Sequence, residues 1–245
     1  MNYHEEFMRT QKMASEYAKE YNETLDRLLD HFHVLETNFC NNLPRITFLE
    51  PIVIEVIENG VERNILVEKF LKGEYTKFNS NMGYVNKEVD VLMNRTNNMD
   101  LGYELDALGA IEEGSEEEDS DEEIEHDGIF DTKKSTPDYM AYSSANIKDA
   151  YFPQAFSHFT YEKSKKKFIV VDLQGVFTKK VDGTKCYELT DPVIHMHRKK
   201  CMKKFSSWNF GRTDRGEKGM NAFFGTHRCT GACKLLGLKD VKMQS

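Results

Sequence analysis

Residues 226–234 read THRCTGACK and place His227, Cys229 and Cys233 at H-x-C-x3-C spacing. Two thiolates and an imidazole supply three corners of a tetrahedral zinc site, whose fourth ligand must come from elsewhere in the chain. Such a site ties distant segments together, so it decides how the chain closes. Thiolate-rich sites keep no open position for water, which makes the metal structural and sends the search for chemistry elsewhere. The same spacing also fits a helix end that carries two buried cysteines.

Upstream of this motif the pattern is helical from 216 to 238, with Met220, Phe223, Phe224, Leu235, Leu236 and Leu238 as its apolar residues. Residues 211–219, GRTDRGEKG, lead into that helix with glycines at 211, 216 and 219. Backbone N–H groups at such a boundary can face an anion. A plain turn capped by Thr213 or Asp214 is an equal reading, because the order of neither a phosphate loop nor a dinucleotide fingerprint is present.

Residues 168–175, FIVVDLQG, form a short apolar run ending in Asp172 and Gln174. Two residues apart at the end of one strand, their side chains share a face. A hairpin follows over 175–191, turning at Asp182-Gly183, and returns Asp191 towards Asp172. Two carboxylates and an amide oxygen on one rim are hard ligands suited to magnesium and substrate phosphates. A carboxylate free of metal could orient or deprotonate a hydroxyl nucleophile. Asp172 as a strand-end cap and Asp191 as a turn residue before Pro192 remain the plainer alternatives. Residues 138–164 read as helix, with Pro153 opening the last segment.

In the first third, Phe7, Ala14, Tyr17, Ala18, Tyr21, Leu25, Leu28, Leu29 and Phe32 recur at three- and four-residue steps, which predicts one amphipathic helix over about 5–33. Two β-rich runs follow, 46–57 and 64–71, around Glu58-Asn59-Gly60, a short-hairpin signal. Helices segregated from antiparallel hairpins give an α+β class rather than a parallel doubly wound sheet.

A chain of 245 residues makes one large domain or two lobes. No apolar run approaches the length that crosses a bilayer, and the polar start MNYHEEFMRTQK is no secretory signal. Five cysteines, an odd number with two in the metal motif, argue against a disulfide scaffold and for a cytoplasmic protein. Residues 112–128, EEGSEEEDSDEEIEHDG, hold eleven acidic groups and no Lys or Arg. Setting those eleven aside turns the net charge of −8 into +3. Such a block reads as a disordered insertion over about 105–137: a solvated spacer, an acidic arm, or a phosphoacceptor through Ser115 and Ser120. The basic runs KSKKK (163–167) and HRKKCMKK (197–204) lack interleaved aromatics, so nucleic acid is not an expected partner.

Five segments occur in the order found in the alpha-kinases, an atypical protein kinase family: FSHFTYEKS (156–164), FIVVDLQGV (168–176), LTDPVIH (189–195), FGRTDRGEKGMNAFF (210–224) and THRCTGACKLLGL (226–238). VEKFLKGEYTKFNSNMGYV (67–85) and MASEYAKEYN (13–22) resemble that family's hinge and the helix before it. The resemblance covers about 10–90 and 150–240 and implies one kinase domain of two lobes, a partial amino-terminal lobe with hinge and a catalytic carboxy-terminal lobe.

The resemblance implies a Ser/Thr protein kinase using ATP and magnesium, with a structural zinc and a protein substrate. It makes His158 the fourth zinc ligand beside His227, Cys229 and Cys233, ahead of His195 and His197. It makes Asp172 the catalytic aspartate and Gln174 with Asp191 the magnesium pair. Glu68, Lys69, Phe70 and Leu71 correspond to the adenine hinge, and Gly211, Asp214, Gly216 and Gly219 to the substrate loop. The strands that carry the family's phosphate loop and ATP lysine are not matched, since the chain starts at the following helix. A catalytically silent, zinc-stabilised binding module is the alternative that this departure implies.

Overall fold

The computed structural model describes residues 3–33, 43–85, 148–205 and 210–241. The acidic stretch 105–137 and the first ten residues of the helix expected from 138 lie outside the described residues.

Helix α1 runs Tyr3–His33. Its Ala14, Ala18, Tyr21 and Leu25, spaced by four and three, are all buried, so the stripe read from the sequence is the face it packs. That face meets Phe156 and Phe159, whose rings stand edge-on to Tyr21 at 5.4 and 5.6 Å.

The apolar run 46–57 does not form one strand. Pro51 cannot donate to a ladder, and the chain divides there into β1 (Arg45–Phe48) and β2 (Ile52–Glu58). Strand β3 (Val61–Val67) pairs with β2 as the expected hairpin, with Asn59 at φ 53° and Gly60 at φ 76° in its two-residue turn.

Strands β4 (Tyr75–Lys77), β6 (Gln174–Lys179) and β7 (Lys185–Thr190) join β1 in one sheet of order β1-β7-β6-β4. The β6–β7 hairpin turns where Asp182-Gly183 predicts. β1 runs parallel to β7, an exception to the antiparallel expectation. Its other edge is covered by α1: Asn22 Nδ2 donates to the Ile46 carbonyl at 2.8 Å, and Asn22 Oδ1 accepts from the Ile46 amide at 3.1 Å.

A single 3-10 turn, Asp149–Tyr151, leads into α2 (Phe152–Lys163), in which every residue from Phe152 to Thr160 is buried. Strands β5 (Phe168–Val171) and β8 (Val193–Met196) form a separate, wholly buried antiparallel pair. The rest is helical: α3 (Arg198–Phe205), α4 (Gly216–Thr226) and α5 (Gly231–Leu235). The main core joins α1, α2, the four-stranded sheet, the β5–β8 pair and α5, and a smaller cluster of Ile169, Val171, Val193, Met220, Phe223 and Phe224 seats α4. The mixed helix-and-sheet class expected from the sequence is what the chain forms.

Candidate active site and metal centre

Two neighbouring corners hold the candidate catalytic carboxylates. The β5–β8 pair ends at Val171↔Val193 and the β6–β7 pair begins at Gln174↔Thr190. The chain therefore passes between the two sheets through Asp172-Leu173 on one side and Asp191-Pro192 on the other. Both aspartates sit in the left-handed region, Asp172 at φ 60° and Asp191 at φ 48°. That region is costly for a residue with a Cβ, and such strain concentrates at functional positions. The expected continuous strand 168–175 is thus corrected: it breaks at Asp172, because its halves pair with different partners. Strand alternation does not bring Asp172 and Gln174 to one rim; the corner does.

Gln174 Nε2 donates to the Asp191 carbonyl at 3.3 Å and to its carboxylate at 3.4 Å. Lys77, opposite Gln174 in the β4–β6 register, places Nζ 2.6 Å from Asp172 Oδ1. The sequence singled out no lysine for this rim. The signal for Lys77 was its place in the hinge-like segment, but only strand pairing reveals the contact. Glu68 Oε2 accepts from Thr190 Oγ1 at 2.6 Å, so its side chain joins the same rim, while Lys69 and Phe70 are exposed and Leu71 is half-buried. Partial burial pushes the Asp191 carboxyl above its ordinary value, followed by the charges of Asp172 and Glu68, with Lys77 opposing.

The Asp172 corner is gripped from behind by Asn79, which is fully buried. Its Oδ1 accepts from the Leu173 amide at 2.9 Å, and the Leu173 carbonyl accepts from the amides of Phe78 and Asn79. Asn79 Nδ2 donates to Gln154 Oε1 at 3.2 Å and Ser157 Oγ at 3.0 Å, both on α2. Replacing Asn79 with alanine strands these buried groups, and a loss of about 2 kcal/mol in denaturant unfolding is expected. An unchanged midpoint would show that water or a neighbour restores the bonds.

The glycine-rich loop forms a turn tied by Asp214, one of its two sequence readings. Asp214 has a fully buried carboxylate that accepts from the amides of Gly216 at 2.8 Å and Met196 at 3.1 Å, with Arg198 at 3.3 Å. It ties the loop to β8. His195 completes the tie, its Nδ1 accepting from the Arg215 amide at 3.1 Å and its Nε2 meeting the Asn81 carbonyl at 2.8 Å. A Cβ on Gly219 would lie 2.3 Å from the His195 ring, so Gly219 is a close-packing position. Arg212, Thr213 and Arg215 are the exposed residues of this loop.

The helix expected over 216–238 is interrupted at His227–Thr230, and the interruption carries the metal motif. The ligand atoms of His158, His227, Cys229 and Cys233 all lie within 4.8 Å of one another. Cys229 Sγ is 3.6 Å from His158 Nδ1 and 3.6 Å from His227 Nε2, and Cys233 Sγ is 3.5 Å from His227 Nε2. Zinc bonds to sulfur and nitrogen imply tetrahedral edges of about 3.5 Å, so the donor set fits that ion. Of the histidines weighed, His158 is the one that joins; His195 lies in the loop tie. The rings are set by packing, His227 stacked on Phe223 at 5.1 Å and His158 edge-on to Phe224 at 5.3 Å. Burial lowers the His227 pKa, which favours the neutral, ligating imidazole. A hydrogen bond from Cys229 lowers the Cys233 thiol, whereas sharing that proton pushes Cys229 up to about 12, with burial adding. Two thiols and two imidazoles gathered this closely could hold a metal ion.

The alpha-kinase family model matches residues 1–98 and 132–233. Alpha-protein kinase vwkA of Dictyostelium discoideum is 27% identical over 233 residues, 95% of this chain and 24% of that protein. Myosin heavy chain kinase A of the same organism is 41% identical over 115 residues, 47% of this chain and 8% of its own length. This chain therefore spans a quarter or less of either relative. Among solved structures, the alpha-kinase domain of myosin-II heavy chain kinase A, an inactive variant complexed with ATP, superposes with a TM-score of 0.52 at 25% identity. The match covers 96% of this chain and 58% of that domain.

Proposed function

Since the chain belongs to the alpha-kinase family, we propose that it transfers the γ-phosphoryl group of ATP to a serine or threonine hydroxyl of a protein. The observation that carries this reading is the rim made by Asp172, Lys77, Gln174 and Asp191 at two adjacent strained corners. Phosphoryl transfer asks little covalent chemistry of a protein and much positioning and charge compensation. A rim of ionised groups on rigid strand ends supplies both.

Asp172 orients the acceptor hydroxyl and takes its proton, and Lys77 fixes the carboxylate through their ion pair. The amide oxygen of Gln174 and the carboxylate of Asp191 are hard donors that would hold magnesium. That ion supplies charge neutralisation across the phosphates when bound. Glu68 to Leu71, where β3 leaves its hairpin, offer backbone groups to adenine. The exposed part of the loop at 211–215 receives the protein substrate, and the His158–His227–Cys229–Cys233 set holds a structural zinc.

Incubating the purified, zinc-loaded chain with labelled ATP, magnesium and a Ser/Thr peptide mixture tests the reading. Phosphate on Ser or Thr is the expected result. A folded chain that binds ATP with magnesium yet labels nothing would sink it.

The crowding at Asp191 adds a second expectation. A carboxyl whose pKa is raised in the fold favours its protonated form, so its stabilising contribution is complete at low pH and lost as pH rises through the raised value. Asp191→Asn should therefore raise the melting temperature near neutral pH without magnesium. The gain should disappear on acidification, and magnesium should stabilise the wild type but not the variant. A variant less stable than wild type at neutral pH would overturn the assignment of Asp191 as a crowded carboxylate.

A further inference from the structure

The two basic runs, far apart in sequence, meet at one end of the β5–β8 pair. Phe168 lies opposite Met196, and the His197 amide donates to the Lys167 carbonyl at 2.8 Å. Lys165–Lys167 therefore abut the first turn of α3, Arg198–Lys200. Lys163 and Arg198 are partnered, by Glu20 at 3.7 Å and Asp214 at 3.3 Å. Lys165, Lys166, Lys199 and Lys200 are exposed and form no ion pair among the described residues.

This concentration of charge works against stability. Lys165 and Lys166 are consecutive left-handed residues at φ 56° and 62°, a conformation that costs energy at each. The first turn of α3 holds three cations and no acid, the opposite of what a helix amino-terminus favours. The lysines also repel one another. An anion lying across both runs would offset the repulsion and the unfavourable helix terminus, though not the backbone cost.

We propose that this patch is the docking surface for the chain's own acidic tract, residues 112–128. The tract carries eleven acidic groups and no Lys or Arg, while the rest of the chain is net +3, so patch and tract are complementary in sign. Tethering also permits it. Nineteen residues lie between the end of the tract and Lys148, and they extend to about 70 Å at most. Lys148 stands just before α2, whose length is about 18 Å and whose far end is Lys163, beside the patch. A tethered segment can meet its site at millimolar effective concentration, so even a weak attraction fills it. The docked tract screens the patch from other anions and responds to ionic strength. Phosphate on Ser115 or Ser120 would add about two negative charges each and tighten it.

Carbodiimide cross-linking joins a carboxylate directly to a lysine amine and reads the contact on the full chain. Mixing light and isotope-labelled copies separates links within one chain from links between chains. At about 0.05 M salt, links from 112–128 to Lys165, Lys166, Lys199 and Lys200 should exceed those to the exposed Lys69, Lys72, Lys218 and Lys234 by about tenfold. They should fall several-fold at about 0.5 M salt, where the screening length shrinks. In the Lys199→Glu/Lys200→Glu variant, the remaining links to Lys165 and Lys166 should drop in the same way. Even labelling of all exposed lysines would overturn the proposal, as would links at Lys165 and Lys166 that ignore the variant. Links found only between copies would overturn it too, assigning the patch to an acidic segment of another molecule.

Discussion

Cys233→Ser should cost the chain its metal and much of its stability. The four ligands come from two places: His158 from the buried helix α2, and His227, Cys229 and Cys233 from the break between α4 and α5. Zinc is thus expected to close the carboxy-terminal segment onto the core, and at such sites binding energy is folding energy. Without the thiolate the metal loses a ligand, and the link it would make from α5 to α2 is lost with it. Loss of about 4 kcal/mol, a drop of roughly 8–16 °C in melting temperature, is the expected result. Metal content by mass spectrometry should fall from one zinc per chain to near none. Chelation of the wild type should reproduce the effect. A variant that melts like wild type with no bound metal would remove zinc from the fold.

Asp172→Asn should leave the fold standing and abolish phosphotransfer. An amide keeps the shape of the side chain at the left-handed corner, and asparagine tolerates that backbone conformation better than most residues. The Leu173 grip uses the Phe78 and Asn79 amides and the Asn79 side chain, none of which the change touches. What is lost is the proton acceptor and the partner of Lys77, so turnover should fall by roughly 10² to 10⁴. Melting temperature and zinc content should stay at wild-type values. Activity within a few-fold of wild type would mean that another group takes the hydroxyl proton. Lys77→Met is the informative companion, since it removes the charge opposite Asp172 while sparing the carboxylate.

Much of the local structure was legible in the chain itself. The stripe of Ala14, Ala18, Tyr21 and Leu25 announces α1, and the Asn59-Gly60 and Asp182-Gly183 pairs announce both hairpins. These signals survive because helical periodicity and turn chemistry are properties of a few consecutive residues. The metal donors were legible for the same reason where they cluster, at His227, Cys229 and Cys233. His158 was reached through family resemblance, because spacing says nothing about a ligand on another element.

The active rim shows the other half. Read locally, FIVVDLQG is one strand with Asp172 and Gln174 on one face; the fold instead breaks it into β5 and β6. Which strand pairs with which is decided by long-range competition for burial, not by the residues at the break. The same competition lays β1 parallel to β7 and sets Lys77 opposite Gln174. From the sequence alone came α1, both hairpin turns and the inventory of reactive groups, since each depends on neighbours along the chain. The tertiary structure decided which carboxylates share a rim, which lysine answers them and that the two basic runs form one surface, because those contacts exist only once distant segments have packed.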